Sequence, residues 1–142
     1  MDEPFIFIGT YTIREGKLEA LKQYVLEFSN LVEANEPRLL HFGFYFDEDG
    51  SEVSVVQVHP DAASMAFHMQ VIREHLVGAY EFLDTSKSVQ IYGSPPGALV
   101  EQMKQASGPA VPVLIKSEFA GFNRLLAMAV GATSRSSSSR RQ

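Results

Sequence analysis

The hydrophobic residues in the first quarter of the chain follow two different periods. In residues 5–13, both the odd-numbered and the even-numbered positions carry large apolar side chains, which is typical of a β-strand covered on both faces. From residue 15 to about residue 35 the apolar positions recur in steps of three and four, which predicts an amphipathic helix. Its buried stripe is expected to contain Leu18, Leu21, Val25, Phe28 and Val32. Pro37 disfavours helical geometry at Glu36, so the helix should end near Asn35.

The stretch 39–68 organises the rest of the chain. It contains two segments with a two-residue repeat around an acidic loop, and the Asp49-Gly50 pair in that loop suits the tight turn of a β-hairpin. Pro60-Asp61 then suits the start of a second helix, which should continue to about Gly78. Its buried stripe is expected to contain Met65, Met69, Ile72 and Leu76. Residues 88–93 supply a fourth strand.

The order of these elements is βαββαβ, which predicts an α+β domain of the ferredoxin-like class over residues 4–93, with a four-stranded antiparallel sheet and two helices on one face. Residues 94–133 form a C-terminal extension. It should contain a short helix with Leu99 and Met103 inward, an edge strand or arm at 111–115, and a terminal helix over 121–130. The Ser/Arg tail 134–142 has nothing to bury and is expected to be disordered.

Alternate residues of each strand lie on opposite faces of the sheet, so the strand residues fall into two sets, and two helices can cover only one of the two faces. The set expected under the helices is Ile6, Ile8, Leu40, Phe42, Phe44, Phe46, Val56, Val58, Val89 and Ile91. The opposite set is Phe5, Phe7, Gly9, Tyr11, His41, Gly43, Tyr45, Val53, Val55, Gln57, His59, Gln90 and Tyr92. Because this second face is too apolar to be left in water, it predicts a two-fold homodimer, with cover by the extension of the same chain as the alternative.

Composition narrows the functional classes. The chain has no cysteine, which excludes disulfides and thiolate chemistry. The net charge is −5 and three tail arginines contribute +3, so residues 1–133 carry −8, which disfavours nucleic-acid binding. No apolar run has the length of a signal peptide or a membrane span, so a cytoplasmic protein without membrane contact is expected.

Several sequence blocks resemble one known family. They are Phe-Ile-Gly in the first strand, the Glu15-Gly16-Lys17 turn, Gly-Phe-Tyr-Phe at 43–46, and Val-Gln-Val-His-Pro-Asp-Ala-Ala-Ser-Met-Ala-Phe-His at 56–68. Residues 4–93 are thereby similar to the antibiotic-biosynthesis-monooxygenase-like domain of the dimeric α+β barrel superfamily. The resemblance implies pairing of two sheets into a barrel, and an enzyme of the type that oxygenates polycyclic phenols or quinols without a cofactor. The family usually has a tryptophan at the end of the third strand, where this chain has His59. This departure disfavours a haem-degrading enzyme, which would also have an asparagine in the first strand, where the candidates here are Thr10 and Thr12.

His68 is the first candidate for catalysis. The resemblance implies a pocket between helices and sheet, and histidine is the side chain whose unperturbed pKa, near 6.5, best suits a general base at neutral pH. The structural alternative is a boundary histidine bonded to backbone. His59 ends a strand, and in this fold such a position lies near a pocket mouth.

A second group of candidates shares one parity of the strands. His41 and Tyr45 flank Gly43, and Tyr11 and Gln57 are expected across from them, so these residues could line a ligand cavity at the barrel axis or lie as satisfied polar groups in the dimer interface. No histidine pair has a metal-site spacing, so neither metal nor cofactor is predicted.

The resemblance, together with His68, implies a homodimeric, cofactor-independent monooxygenase-like protein acting on a small aromatic or quinol-type molecule. His68 would be its base and Tyr11 or Tyr45 its hydrogen-bond donor. The alternative is a non-catalytic homodimer that binds a small apolar ligand or a partner.

Overall fold

The computed structural model describes residues 3–125, which form one five-stranded sheet and four helices. The strands are β1 (Phe5–Ile13), β2 (His41–Phe46), β3 (Glu52–His59), β4 (Leu83–Tyr92) and β5 (Val113–Lys116). The helices are α1 (Leu18–Asn35), α2 (Ala62–Val71), α3 (Arg73–Ala79) and α4 (Gly97–Ser107).

The sheet has the order β2-β3-β1-β4-β5. The first four strands are antiparallel neighbours, which confirms the ferredoxin-like α+β plan, and β5 joins the edge of β4 in parallel. The C-terminal extension therefore contributes an edge strand, and its helix α4 places Leu99 and Met103 in the main core. The expected terminal helix over 121–130 lies mostly outside the described residues, as does the tail.

All the packed helices cover the same face of the sheet. One core cluster joins α2 and α4 to Phe5 and Phe7 of β1 and to β4. A second joins Leu21 and Val25 of α1 to Val53 of β3 and to the ends of β1 and β4. Within residues 3–125, no helix is both long and apolar enough to cross a membrane.

The prediction of which residues face the helices was wrong for β1 and β3, whereas it is confirmed for β2 and β4. Phe5 and Phe7 are buried under the helices, and Phe7 pairs with Gln57, which is also buried. Phe42 and Phe44 of β2 and Val89 and Ile91 of β4 point to the same side. The two faces of β1 are equally apolar, so hydrophobicity alone does not predict which of them meets the helices. In β3 the polar residues Gln57 and His59 point inward, against the usual pattern.

The other side of the sheet, called here the open face, is not covered by any described element. It carries Ile6, Ile8, Val56, Val58, His41, Tyr45 and Tyr92. Tyr11 lies under the helices, so the three tyrosines expected on one face are divided between two. In the described part of the C-terminal extension, residues 94–125, helix α4 and the residues Val111 and Val113 pack on the helical side and not on the open face.

The second helix is divided at Ile72, where the prediction was one continuous helix. Ile72 has φ −93° and ψ 2°, and α3 begins directly after it. No proline or glycine marks this break in the sequence. At this bend Ile72 packs against Phe28 and Val32 of α1. Helix α3 then forms part of one wall of the space between the helices and the sheet.

Candidate functional site

A cavity lies between the sheet and the helices. The space free of protein atoms is about 870 Å³, its opening to solvent included. Its walls are mainly aromatic and aliphatic, and its polar side chains come from Tyr11, Tyr24, Gln57, His68, Tyr80 and Ser107. A largely apolar cleft with a few polar groups is the usual form of a small-molecule site.

His68 and Glu36 form a buried pair at the wall of this cavity. His68 lines the cavity from α2 and is fully buried, and Glu36 is 4% exposed. Nδ1 of His68 lies 2.9 and 2.8 Å from the two carboxylate oxygens of Glu36. Because a carboxylate only accepts, Nδ1 carries the proton, and the lone pair of a neutral ring is then on Nε2. Nε2 is buried without a hydrogen-bond partner among the described residues.

Glu36 is the functional candidate that sequence reasoning missed. It ends α1, and its backbone N–H donates to the carbonyl oxygen of Val32. A signal was available, because Glu36 follows Val32 by four residues and so continues the buried stripe of α1. An acid at a buried stripe position needs a partner, and His68 provides it.

His59 lies behind the cavity wall. It is fully buried and is not among the residues that line the cavity, which differs from the expected place at a pocket mouth. Its Nδ1 is 2.7 Å from Oγ of Ser64, and its Nε2 is 2.8 Å from Oε1 of Gln57. Burial, with the neighbouring His68 as a smaller cause, lowers the pKa of His59 to about 3. His59 is therefore neutral at physiological pH.

Tyr11 lines the cavity from β1. Burial, with Tyr80 as a smaller cause, raises the pKa of the Tyr11 phenol to about 12, so its hydroxyl stays protonated and can donate a hydrogen bond. Gly9 leaves room for it, since a Cβ at Gly9 would lie 2.9 Å from the Tyr11 hydroxyl oxygen. The structure thus brings Tyr11, Gln57 and His68 to one cavity.

His41 and Tyr45 are exposed on the open face, and Nε2 of His41 lies 2.9 Å from the Tyr45 hydroxyl. They do not line the cavity that contains His68. The reason is the register of β2, which sends Phe42 and Phe44 inward and the intervening residues outward. A role for His41 and Tyr45 in a dimer interface stays a prediction. Among the described residues, no group of three or more metal-ligating side chains is placed to hold a metal ion.

Comparisons with known proteins give structural neighbours only. No family model matches the chain, and no curated protein sequence matches it. The crystal structure of MupZ from Pseudomonas fluorescens superposes with a TM-score of 0.68 at 21% identity, covering 87% of this chain and 91% of MupZ. That coverage must include part of the C-terminal extension, because residues 1–93 make up only about 65% of the 142-residue chain.

Two shorter neighbours match less of the chain. A "putative antibiotic biosynthesis monooxygenase" from Caulobacter crescentus superposes with a TM-score of 0.56 at 13% identity, over 63% of this chain and 86% of its own. Rv0793 from Mycobacterium tuberculosis superposes with a TM-score of 0.55 at 15% identity, over 68% of this chain and 99% of its own. The chain therefore has the fold of the antibiotic-biosynthesis-monooxygenase-like domain, as its sequence blocks predicted.

Proposed function

We propose that the protein is an enzyme in which His68 acts as general base on a small, largely apolar molecule with an ionisable hydroxyl group. The observation that carries this proposal is the His68–Glu36 pair at the cavity wall. Glu36 fixes the tautomer of the ring and stabilises the imidazolium that forms when Nε2 takes a proton. A histidine that only filled space would not require a buried carboxylate as partner.

The reaction class that suits this site and its structural neighbours is oxygenation of a phenol or quinol without a cofactor. Once deprotonated, such a substrate supplies all the electrons that O₂ needs. A phenol with a free ring position and O₂ give a quinone and water. One oxygen atom becomes the new carbonyl group, and the other leaves as water with the phenolic and ring hydrogens. The protein contributes the base, donors for the anion and an apolar cavity that excludes water.

Oxygen uptake tests the proposal. A panel of polycyclic phenols and quinols is first screened by thermal shift, since a ligand that binds only the folded state raises the unfolding temperature. Stabilising compounds are then followed with an oxygen electrode, and we expect at least one to consume O₂ and form its quinone. Stabilisation without any O₂ consumption across the panel would contradict the oxygenase and favour a binding protein.

We also propose that the protein acts as a homodimer joined through the open face. Ile6, Ile8, Val56 and Val58 form its apolar centre, and each is only partly buried within one chain. A self-complementary patch on a two-fold axis buries the same surface twice, which is the commonest way to cover such a face.

Replacing Ile8 with glutamate should convert the dimer to a monomer. Ile8 pairs with Val56 at the centre of the open face, so each new carboxylate would be buried in the interface without a partner. Sedimentation velocity at micromolar concentration measures the change. Leu26→Glu is the matched control, because Leu26 is 59% exposed on α1, away from the open face. A monomeric unsubstituted protein would contradict the dimer.

A further inference from the structure

A chain of hydrogen bonds runs from the start of α2 to the cavity wall. Asp61 accepts from the backbone N–H of Ser64 at 2.9 Å and so caps α2. Ser64 lies 2.7 Å from His59, and His59 lies 2.8 Å from the side-chain oxygen of Gln57. Arg38 pairs with Asp61 at the outer end. Ser64, His59 and Gln57 are each more than nine-tenths buried.

The chemistry of the groups determines which atom donates in each of these hydrogen bonds. The amide oxygen of Gln57 can only accept, so Nε2 of His59 carries the proton and donates to it. Nδ1 of His59 is then an acceptor and takes the hydroxyl proton of Ser64. This leaves the amide nitrogen of Gln57, a double donor, without an acceptor among the described residues, although Gln57 lines the cavity.

The walls of the cavity also limit the kind of ligand. Within residues 3–125, the side chains that line the cavity include Gln57, His68 and three tyrosines but no lysine or arginine. A carboxylate or phosphate, whose charge is confined to its oxygen atoms, would enter without a cation to balance it, which is less favourable in an apolar cleft than entry of a phenol or of a phenolate whose charge is delocalised over the ring. A neutral hydroxyl compound enters without this cost and acquires its negative charge only inside the site.

We propose that the Gln57 amide nitrogen binds the oxygen on which negative charge forms, with His59 and Ser64 as positioning residues that hold the amide in its donating orientation. The proposal rests on the proposed function, and it specifies the substrate as a neutral phenol or enol whose anion is bound by uncharged donors. Neutral donors aimed in advance at a developing anion need no rearrangement during the reaction.

The probe is 4-nitrophenol, whose anion is coloured and whose neutral form is not. Visible absorption follows the anion and near-ultraviolet absorption follows the neutral form across a pH titration, so the pKa of the bound probe is obtained directly. We expect the protein to lower this pKa relative to water. Gln57→Leu should weaken phenolate binding about tenfold, a rise of about one unit in the bound pKa, and leave binding of neutral nitrophenol nearly unchanged.

Two further variants protect the test against misfolding and check the positioning residues. Gln57→Glu keeps the shape and the contact with His59, and it should weaken phenolate binding at least tenfold by placing a carboxylate beside the anion. Ser64→Ala removes the donor that fixes the His59 tautomer and should weaken phenolate binding about threefold, with rescue by Ser64→Thr. Thermal unfolding confirms that each variant is folded.

The outcomes separate this proposal from the one on which it rests. Above its own pKa the probe arrives already ionised, so its binding tests the donor whether or not His68 acts as a base. An unchanged bound pKa in both Gln57 variants, or a failure of the unsubstituted protein to bind phenolate, would overturn the role of Gln57. Selective phenolate binding through Gln57 without O₂ consumption by any quinol would support the donor and contradict the oxygenase.

Discussion

Replacing His68 with glutamine should lower the turnover of an identified substrate by about 10²–10⁴-fold, which is the usual contribution of a general base. Glutamine can still donate a hydrogen bond to Glu36, but its amide cannot take a proton from the substrate. We expect the Michaelis constant to change little, because the apolar walls that bind the substrate are unaltered. Steady-state rates of O₂ consumption measure the effect.

The choice of glutamine follows from Glu36. His68→Ala would leave the carboxylate buried at 4% exposure without its partner, at a cost of about 3–5 kcal/mol in unfolding free energy, and lost activity would then report lost structure. His75→Gln is the matched control, because His75 lies in the next helix and does not line the cavity. Equal rates in the unsubstituted and His68→Gln proteins would remove His68 from the mechanism.

The elements of the fold could be predicted from periodicity, and so could the inward faces of β2 and β4, whereas those of β1 and β3 could not. A two-residue repeat fixes which residues share a side, but it does not say which side meets the helices when both are apolar, as in β1. In β3 the preference for apolar interiors gave the opposite answer, because Gln57 and His59 point inward. Local rules of this kind fail most often at functional sites, where buried polar groups are retained for chemistry.

The sequence predicts only part of the candidate site. Sequence blocks that resemble a known family predict a role for His68, and strand periodicity predicts Tyr11 and Gln57 as pocket residues but places them on the opposite face. Glu36 pairs with His68 across 32 residues of sequence. No local pattern reports such a contact, so only the position of Glu36 on the buried stripe of α1 could have suggested it.

The protein should lose stability as the pH falls from 7 to 5, and His59 should account for about 2 kcal/mol of that loss. The folded-state pKa of His59 is about 3, lowered by burial and by nearby His68, against an ordinary value of 6.5 in the unfolded chain. Below pH 6.5 the unfolded chain therefore binds a proton that the folded protein does not, so acid favours unfolding. The stabilising contribution is complete above pH 6.5 and decreases steadily as the pH falls toward 3.

Urea denaturation at pH 7 and at pH 5, compared between the unsubstituted protein and His59→Gln, isolates this contribution. Glutamine does not titrate, so the variant should be less stable at pH 7 but should lose about 2 kcal/mol less than the parent on acidification. Asp61 and Arg38 act on His59 in opposite directions and are the same in both proteins. His41→Gln is the matched control: His41 is exposed, so its replacement should leave the pH dependence of the parent almost unchanged. Equal losses in the parent and in His59→Gln would show that His59 is readily protonated in the folded protein, and the neutral ring that orients Gln57 would then be excluded at pH 5.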